Sequence, residues 1–255
     1  MPDGLGRGNF TAETAEILRN MADPYGILVL DKGHTGDLVR RVLSCLQTML
    51  GDVAARDVVA KGTGKRGNAE ASLRKYFSGK FFSEHITQYR KRPVYWLLQS
   101  PKKKYGIWLF QEKLTRDTLY RIRGEEYVAA KIRLLELHKA ELAKKREGAA
   151  GHEQRQMDKE IADIEEILDD VREFAQRIDG ILQRGYTPHI DDGVLINIAP
   201  LWPLVPGWKK EPKDCWKKLE KGDYDWSHQA MDLWPERVKE KCKQNKSFRI
   251  AHGME

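Results

Sequence analysis

The chain has 255 residues, of which 40% are hydrophobic and 33% are charged. This balance excludes a wholly disordered chain, and the lack of any apolar run near about eighteen residues excludes a helical membrane span. The first ten residues show no basic-then-apolar pattern, so we expect no secretory signal. Cys45, Cys215 and Cys242 form no C-x-x-C pair, which favours reduced thiols in a cytoplasmic protein and no cysteine zinc site.

The positive charge is concentrated in one part of the chain. The formal net charge is +7, and residues 61–123 hold 16 Lys and Arg against 4 Asp and Glu. A patch this basic attracts polyanions and can neutralise several phosphates. A solvated lysine-rich surface has the same composition, so charge alone leaves both interpretations open.

Helical periodicity predicts the first two elements. Apolar positions within residues 11–22 indicate a short helix opened by Thr11. An apolar run at 26–30 follows, and then a second helix is expected, capped by Thr35 and presenting an apolar face from Leu38 to Met49.

The middle of the chain predicts helices followed by a small sheet. The glycine-rich stretch 62–68 indicates a linker, and 69–89 indicates one or two helices. Aromatic and β-branched runs at 94–98 and 105–110 have strand length and are separated by a lysine-rich turn, which predicts an antiparallel hairpin. Because both runs are apolar at odd and even positions, helices must cover both faces of this sheet.

The strongest periodicity lies beyond residue 127. Apolar residues recur from Val128 to Leu142 and again from Met157 to Leu182, where spacings of four and three alternate. Since Gly148–Gly151 joins the two stretches, they predict an antiparallel helical hairpin of coiled-coil type. Its apolar stripe either zips the two helices together or contacts a partner.

The C-terminal part looks less regular. Val194–Ile196 indicates a short strand, and frequent prolines forbid long elements, although helices are expected near 214–220 and 235–243. Five tryptophans are interpreted mostly as core residues: Trp202, Trp208, Trp216, Trp226 and Trp234.

The predicted fold is therefore mainly helical α+β. It has a small aromatic sheet covered by helices, a long helical hairpin and a tryptophan-rich irregular tail. The predicted segments are an N-terminal helical segment, a basic module with the β-hairpin, the helical hairpin and the C-terminal segment, at residues 1–60, 61–123, 124–184 and 185–255.

Motifs for nucleotide binding and catalysis are weak. Gly62, Gly64 and Gly67 match G-x-G-x-x-G, but no βαβ unit surrounds them, which favours a basic loop over a nucleotide site. The seven histidines show no H-E-x-x-H spacing. We assign no catalytic residue and no metal ligand from these patterns.

Two acidic motifs lead to the same conclusion. Asp191 and Asp192 would point to opposite faces of a strand, so they favour a turn over a shared metal. Glu211-Pro212-Lys213 has the E-x-K form of some metal-dependent nucleases, but a proline would remove a ladder donor from that strand. A nuclease that uses this acidic tail is the weakest of the functional hypotheses.

The basic residues around the hairpin are the best candidates for binding. Arginine suits bidentate phosphate or guanine contacts, and a lysine turn supplies point charge. Tyr95, Trp96 and Trp108 are able to stack on bases, but their strand setting favours core packing. The predicted nucleic-acid-binding residues are Lys65, Arg66, Arg74, Lys75, Arg90, Lys91, Arg92, Lys102, Lys103 and Lys104.

Six blocks of sequence resemble a known family. The first is QYRKRPVYWLLQSP at residues 88–101, and the others lie in order at 114–120, 127–132, 191–201, 222–228 and 234–238. Together they resemble the C-terminal half of BREX and phage-growth-limitation type adenine-specific DNA methyltransferases, which are phage-defence enzymes. The resemblance covers most of the chain from about residue 25 onward.

The resemblance implies an upstream domain with an S-adenosylmethionine motif and an Asn-Pro-Pro-Tyr/Phe motif that receives a flipped adenine. No Pro-Pro dipeptide occurs in this chain, so those residues cannot be placed on it. We therefore expect no cofactor site and no methyl transfer by these residues alone. The implied function is a target-recognition-like module for double-stranded DNA. The alternative is an interaction module that docks on a methyltransferase subunit or another defence-system protein.

Overall fold

The computed structural model describes residues 11–64 and 67–254, and it confirms the mainly helical α+β class. The N-terminal helix is capped by the Thr11 hydroxyl, as predicted, but the second helix is capped by Asp37 and not by Thr35. The elements up to the sheet are α1 (Ala12–Asn20), β1 (Ile27–Val29), α2 (Leu38–Leu50), α3 (Asp52–Thr63), α4 (Ala69–Lys75), α5 (Phe81–Gln88), β2 (Tyr95–Gln99) and β3 (Gly106–Phe110).

The glycine-rich linker is shorter than predicted. Gly62 and Thr63 continue α3, and the chain leaves the helix at Gly64, whose φ of 69° is the left-handed conformation that glycine adopts freely. Gly62 therefore lies inside a helix, and no strand-to-helix phosphate loop forms there. A single π turn, Tyr76–Lys80, joins α4 to α5.

The C-terminal half is more regular than its prolines suggested. The predicted strand at 194–196 is wrong, because these residues lie in a helix. Pro212 and Pro235 stand in the first turns of their helices, where the missing N–H costs little. The elements are α6 (Thr118–Arg123), α7 (Val128–Glu147), α8 (Gly151–Gln183), α9 (Gly193–Ile198), α10 (Lys210–Lys221), α11 (His228–Leu233), α12 (Pro235–Gln244) and α13 (Lys246–Ala251).

The predicted β-hairpin is confirmed, and a third strand completes the sheet. β3 lies in the centre, with β2 on one side and β1 on the other, both antiparallel. Trp108 of β3 is opposite Leu97 on one neighbour and Leu28 on the other. The sequence predicts β1 only as an apolar run, because three residues carry too little pattern to indicate a strand alone.

Helices cover the sheet as expected. The Trp108 ring lies 5.3 Å and 5.5 Å, centroid to centroid, from Phe81 and Phe82 of α5. Phe174 of α8 belongs to the same buried cluster, and its ring meets that of Tyr105 edge-on at 6.1 Å. The core therefore forms around the sheet, between α5 and α8.

The long helical hairpin is confirmed as α7 and α8, which are antiparallel neighbours. Near its tip the seam has its own small core of four buried residues, Leu135, Leu142, Ile164 and Leu168. Further along α8, residues from Val171 to Ile181 join the main core. The hairpin thus packs on the sheet with one half and extends from it with the other.

Replacing Ile164 with Asp should loosen the extended half of the hairpin. Ile164 is buried in the seam, so the variant places an unpaired charge among apolar side chains. We expect the free energy of unfolding to fall by about 3 to 5 kcal/mol. Urea denaturation followed by circular dichroism measures it. Ala162→Asp adds the same charge at an exposed neighbour and should change stability little. Equal effects of the two variants would contradict the assigned seam.

Candidate nucleic-acid interface

The structure separates the predicted basic residues into distinct groups. Lys65 and Arg66 lie outside the described residues. Arg90–Arg92 leads into β2, whereas Lys102–Lys104 forms the turn at the far end of that strand. Five strand residues span about 16 Å, so the two groups occupy opposite ends of the hairpin. Arg74 and Lys75 stand apart from both, on α4.

Arg74 forms an ion pair with a buried carboxylate. Its guanidinium donates to both oxygens of Asp37, at 2.9 Å and 2.7 Å, and to Glu70 at 3.1 Å. Asp37 is completely buried, so this bidentate pair joins α4 to the start of α2 inside the protein. Its neighbour Lys75 remains exposed.

The lysine turn is anchored on α8. The buried carboxylate of Asp170 accepts the backbone N–H of Lys102 at 2.7 Å and of Lys104 at 3.1 Å. The ammonium groups of the same two lysines lie 3.3 Å and 3.5 Å from the Glu166 carboxylate, and they lower the pKa of that group. Two of the three lysines are thus already paired, although all three side chains are exposed.

The loop that ends α5 presents its charges differently. Arg90 and Lys91 have φ values of 49° and 64°, a left-handed conformation that costs a non-glycine residue roughly 1 to 2 kcal/mol. Two hydrogen bonds hold it, from Lys91 N–H to the Ile86 carbonyl at 2.8 Å and from Arg92 N–H to the Tyr89 carbonyl at 2.9 Å. The loop is therefore a fixed turn that closes the helix.

His85 fixes the other side of this loop. Its ring is 4% exposed, and Nε2 accepts the backbone N–H groups of Val94 and Tyr95 at 3.2 Å and 3.1 Å. Nε2 accepts only when it carries no proton, so this arrangement requires the neutral ring. Burial also lowers the pKa of His85.

Five residues form the surface that we call the loop face: Tyr89, Arg90, Lys91, Arg92 and Tyr95. Among the described residues, neither Arg90 nor Arg92 has an ion-pair partner. Tyr89 and Tyr95 flank them and are 42% and 41% exposed. Tyr95 stacks on Phe110 at 5.1 Å, whereas Trp96 and Trp108 are buried in the core, as predicted.

The loop face continues onto α10. Lys91 pairs with Glu211 of α10 at 2.9 Å, which brings the start of that helix beside the loop. The ammonium groups of Lys209 and Lys213 lie 5.2 Å and 4.7 Å from the centre of the Trp202 ring. These lysines are not predicted from the sequence, because they lie far from the loop along the chain and no local pattern connects them to it.

The acidic motifs serve structure. Glu211 and Pro212 lie in α10 and not in a strand, so the E-x-K arrangement of a nuclease does not form. Asp192 is buried and accepts the backbone N–H groups of His228 and Gln229 at 2.9 Å and 2.7 Å, which satisfies the start of α11. Within residues 11–64 and 67–254, no group of three acidic, histidine or cysteine side chains is placed to hold a metal ion.

Two of the concave surfaces in the described part of the chain lie between α7 and α8 and beside the loop face. A crevice of about 410 Å³ between α7 and α8 is lined by charged side chains that already pair with one another, such as Arg172 with Glu136 at 2.7 Å. A groove of about 580 Å³ lies between the loop face and the C-terminal helices, and Arg92 and Trp226 are among its walls. In the described part of the chain, no helix is both long and apolar enough to cross a membrane.

Comparison with known proteins gives a partial match. No protein-family model matches the chain. It is 26% identical over 197 residues to the adenine-specific methyltransferase BrxX of Escherichia coli O9:H4 (strain HS), and 27% identical over 183 residues to the adenine-specific methyltransferase PglX of Lacticaseibacillus casei (strain Zhang). Its homologues are adenine-specific methyltransferases. The matches cover 72% and 68% of this chain but only 16% and 15% of those relatives.

This match confirms the resemblance stated from the six sequence blocks. The chain spans about a sixth of the length of the relatives it matches, which is consistent with a module of such a protein.

The pH dependence of stability should reveal the contribution of His85. Because the pKa of His85 is lowered in the folded protein, this side chain binds a proton near pH 6.5 in the unfolded chain but not in the folded protein. The contribution of His85 is present above that pH and is lost as the pH falls below it. Urea denaturation at pH 7.5 and 5.5 should show a smaller loss of stability for His85→Gln than for the unmodified protein.

Gln183→Ala is the control, since Gln183 is exposed at the end of α8 and its side chain does not titrate. It should lose as much stability between the two pH values as the unmodified protein. Identical pH dependence of all three proteins would show that His85 is not the neutral acceptor described above.

Proposed function

We propose that this chain is a DNA-contacting module of an adenine-methyltransferase-like phage-defence protein in the cytoplasm, and that the loop face is its main contact with double-stranded DNA. The observation that carries the proposal is a pair of exposed arginines, Arg90 and Arg92, without ion-pair partners among the described residues. They stand on a fixed turn between two exposed tyrosines.

Each component of the loop face suits a DNA backbone. A guanidinium donates two parallel hydrogen bonds to one phosphate, and tyrosine adds a hydroxyl donor and an aromatic face. Because the turn is already held by hydrogen bonds, little conformational entropy is lost when it binds. Lys91 can exchange Glu211 for a phosphate, and Lys209 and Lys213 extend the positive charge along the same side.

The lysine turn at Lys102–Lys104 is proposed as a secondary contact. Its charge is available but partly offset by Glu166, so a phosphate bound by Lys102 or Lys104 also breaks an ion pair. Lys75 adds exposed charge on α4, while Arg74 is committed to Asp37. The loop face should therefore supply more binding energy than the lysine turn.

A second candidate function is docking on another protein, such as a methyltransferase catalytic subunit. It is favoured by Leu134 and Leu137, which are 50% and 59% exposed on α7, with Leu134 beside the loop at Gly33. Two large, exposed apolar side chains one turn apart on a helix are typical of partner contacts. Both functions can coexist in one module, since the two surfaces are separate.

The salt dependence of DNA binding tests the main proposal. The double variant Arg90→Gln, Arg92→Gln leaves two phosphates without their arginines, so the slope of log affinity against log salt should become shallower by about 0.9 for each of these phosphates. Fluorescence anisotropy with a labelled duplex at several salt concentrations measures the slope. The triple variant Lys102→Gln, Lys103→Gln, Lys104→Gln should change it less, and stability should hardly change in either.

Lys144→Gln with Lys145→Gln is the matched control. These lysines are exposed near the tip of α7, and the double variant removes the same two charges far from the sheet. Its slope should match that of the unmodified protein. If the loop-face variant and this control bind with the same affinity and slope as the unmodified protein, the DNA proposal is wrong and protein docking becomes the better account.

A further inference from the structure

The groove beside the loop face has the composition of a site for a flat aromatic ligand. Its volume of about 580 Å³ is in the usual range of small-molecule sites, roughly 300 to 1,000 Å³. Val194, Leu195 and Ile196 provide apolar wall, and Tyr224 and Trp226 provide aromatic wall. The proposed DNA contact does not use these residues.

Trp226 is exposed although the chain on both sides of it is buried. The residue is 43% exposed, whereas Asp225 and Ser227 are fully buried. The Asp225 carboxylate accepts two hydrogen bonds from Arg237, at 3.0 Å and 2.7 Å, and it forms an ion pair with Lys241 at 2.7 Å. Ser227 caps α11.

This turn therefore holds a large aromatic ring at the groove in a fixed position. The Tyr224 ring meets that of Trp226 edge-on at 6.2 Å, which further limits its movement. At 43% exposure this ring leaves apolar surface in water, and it belongs to none of the buried hydrophobic clusters of the described residues. A ligand that stacks on the ring would bury that surface.

Charged side chains around the groove indicate which class of aromatic ligand would bind there. Arg92 belongs both to the loop face and to the wall of the groove, and Lys218 lies on the other side with its ammonium 5.7 Å from the Tyr224 ring centre. The carboxylate of Asp214 also lines the groove and can accept hydrogen bonds from amino groups. Two further carboxylates in the lining are already engaged, Asp192 with the start of α11 and Glu211 with Lys91. This combination suits a nucleotide. The cations can bind its phosphate, the Asp214 carboxylate can accept hydrogen bonds from its base, and the aromatic wall can stack on that base.

We propose that this groove binds a single unpaired nucleobase with its phosphate on Arg92. The inference rests on the proposed DNA contact, because a duplex held by Arg90 and Arg92 passes the mouth of the groove. The same chemistry is present in a free mononucleotide, so the experiment has to separate the two sources.

The test compares two duplexes of one sequence, one fully paired and one with a single unpaired adenosine. The full chain should bind the second about tenfold more tightly, in keeping with stacking of one base on an aromatic side chain. Trp226→Ala should abolish this preference while affinity for the paired duplex stays the same. Trp226→Phe keeps a ring and should retain most of the preference.

Tyr120→Ala is the control, since Tyr120 is 54% exposed on α6 and does not line the groove. It should keep the preference. Titration with AMP alone gives the second arm: saturable binding that Trp226→Ala removes would identify a free nucleotide as the ligand, with no need for a preference among duplexes. Thermal denaturation confirms that each variant is folded.

The result that overturns the proposal is a folded Trp226→Ala variant that keeps the preference, or an unmodified protein with neither a preference nor AMP binding. Arg90→Gln alone separates this inference from the DNA proposal, because Arg90 belongs to the loop face and does not line the groove, whereas Arg92 belongs to both. If that variant binds paired duplex normally while Trp226→Ala removes the preference, then the loop face is wrong and the groove stands.

Discussion

Buried carboxylates fix the arrangement of this fold, because a carboxylate removed from water must be met by donors. Among the described residues, four aspartates are at most 7% exposed, and each is satisfied by another segment of the chain. Asp37 pairs with Arg74, and Asp225 pairs with Arg237 and Lys241. Asp170 accepts backbone N–H groups of the lysine turn, and Asp192 accepts those at the start of α11. Moving any one of these segments would leave a charge buried without partners.

These anchors also determine what the surface can do. Asp170 holds one end of the β-hairpin on α8, and neutral His85 holds the other end by its two backbone hydrogen bonds. The basic residues at both ends are therefore presented on rigid supports. Lys91, Lys102 and Lys104 are paired with carboxylates, whereas Arg90 and Arg92 have no ion-pair partner among the described residues. The turn that carries Trp226 is rigid for the same reason, since Asp225 is fixed on α12.

The sequence predicted elements whose pattern is local. The helical hairpin and the β-hairpin were predicted because periodicity and turn residues lie within each of them. β1 was missed because a three-residue strand is specified by its partner β3, and α9 was mistaken for a strand because a short apolar run fits both. The interface was predicted as one basic cluster, yet its division depends on Asp37 and Glu166, which are distant in sequence from the residues they pair with.

The match to known proteins and the exposed surface are independent observations. The two relatives are adenine-specific methyltransferases that this chain matches over about a sixth of their length. The described residues hold an exposed basic and aromatic surface. The DNA-contacting module proposed above agrees with both observations.

The most direct test of this account is amide hydrogen exchange of the full chain with and without duplex DNA. DNA should slow exchange in peptides that cover residues 88–95 and the start of α10, and it should leave the tip of the α7–α8 hairpin unchanged. Protection confined to α7 and α8, with unchanged exchange at residues 88–95, would contradict it.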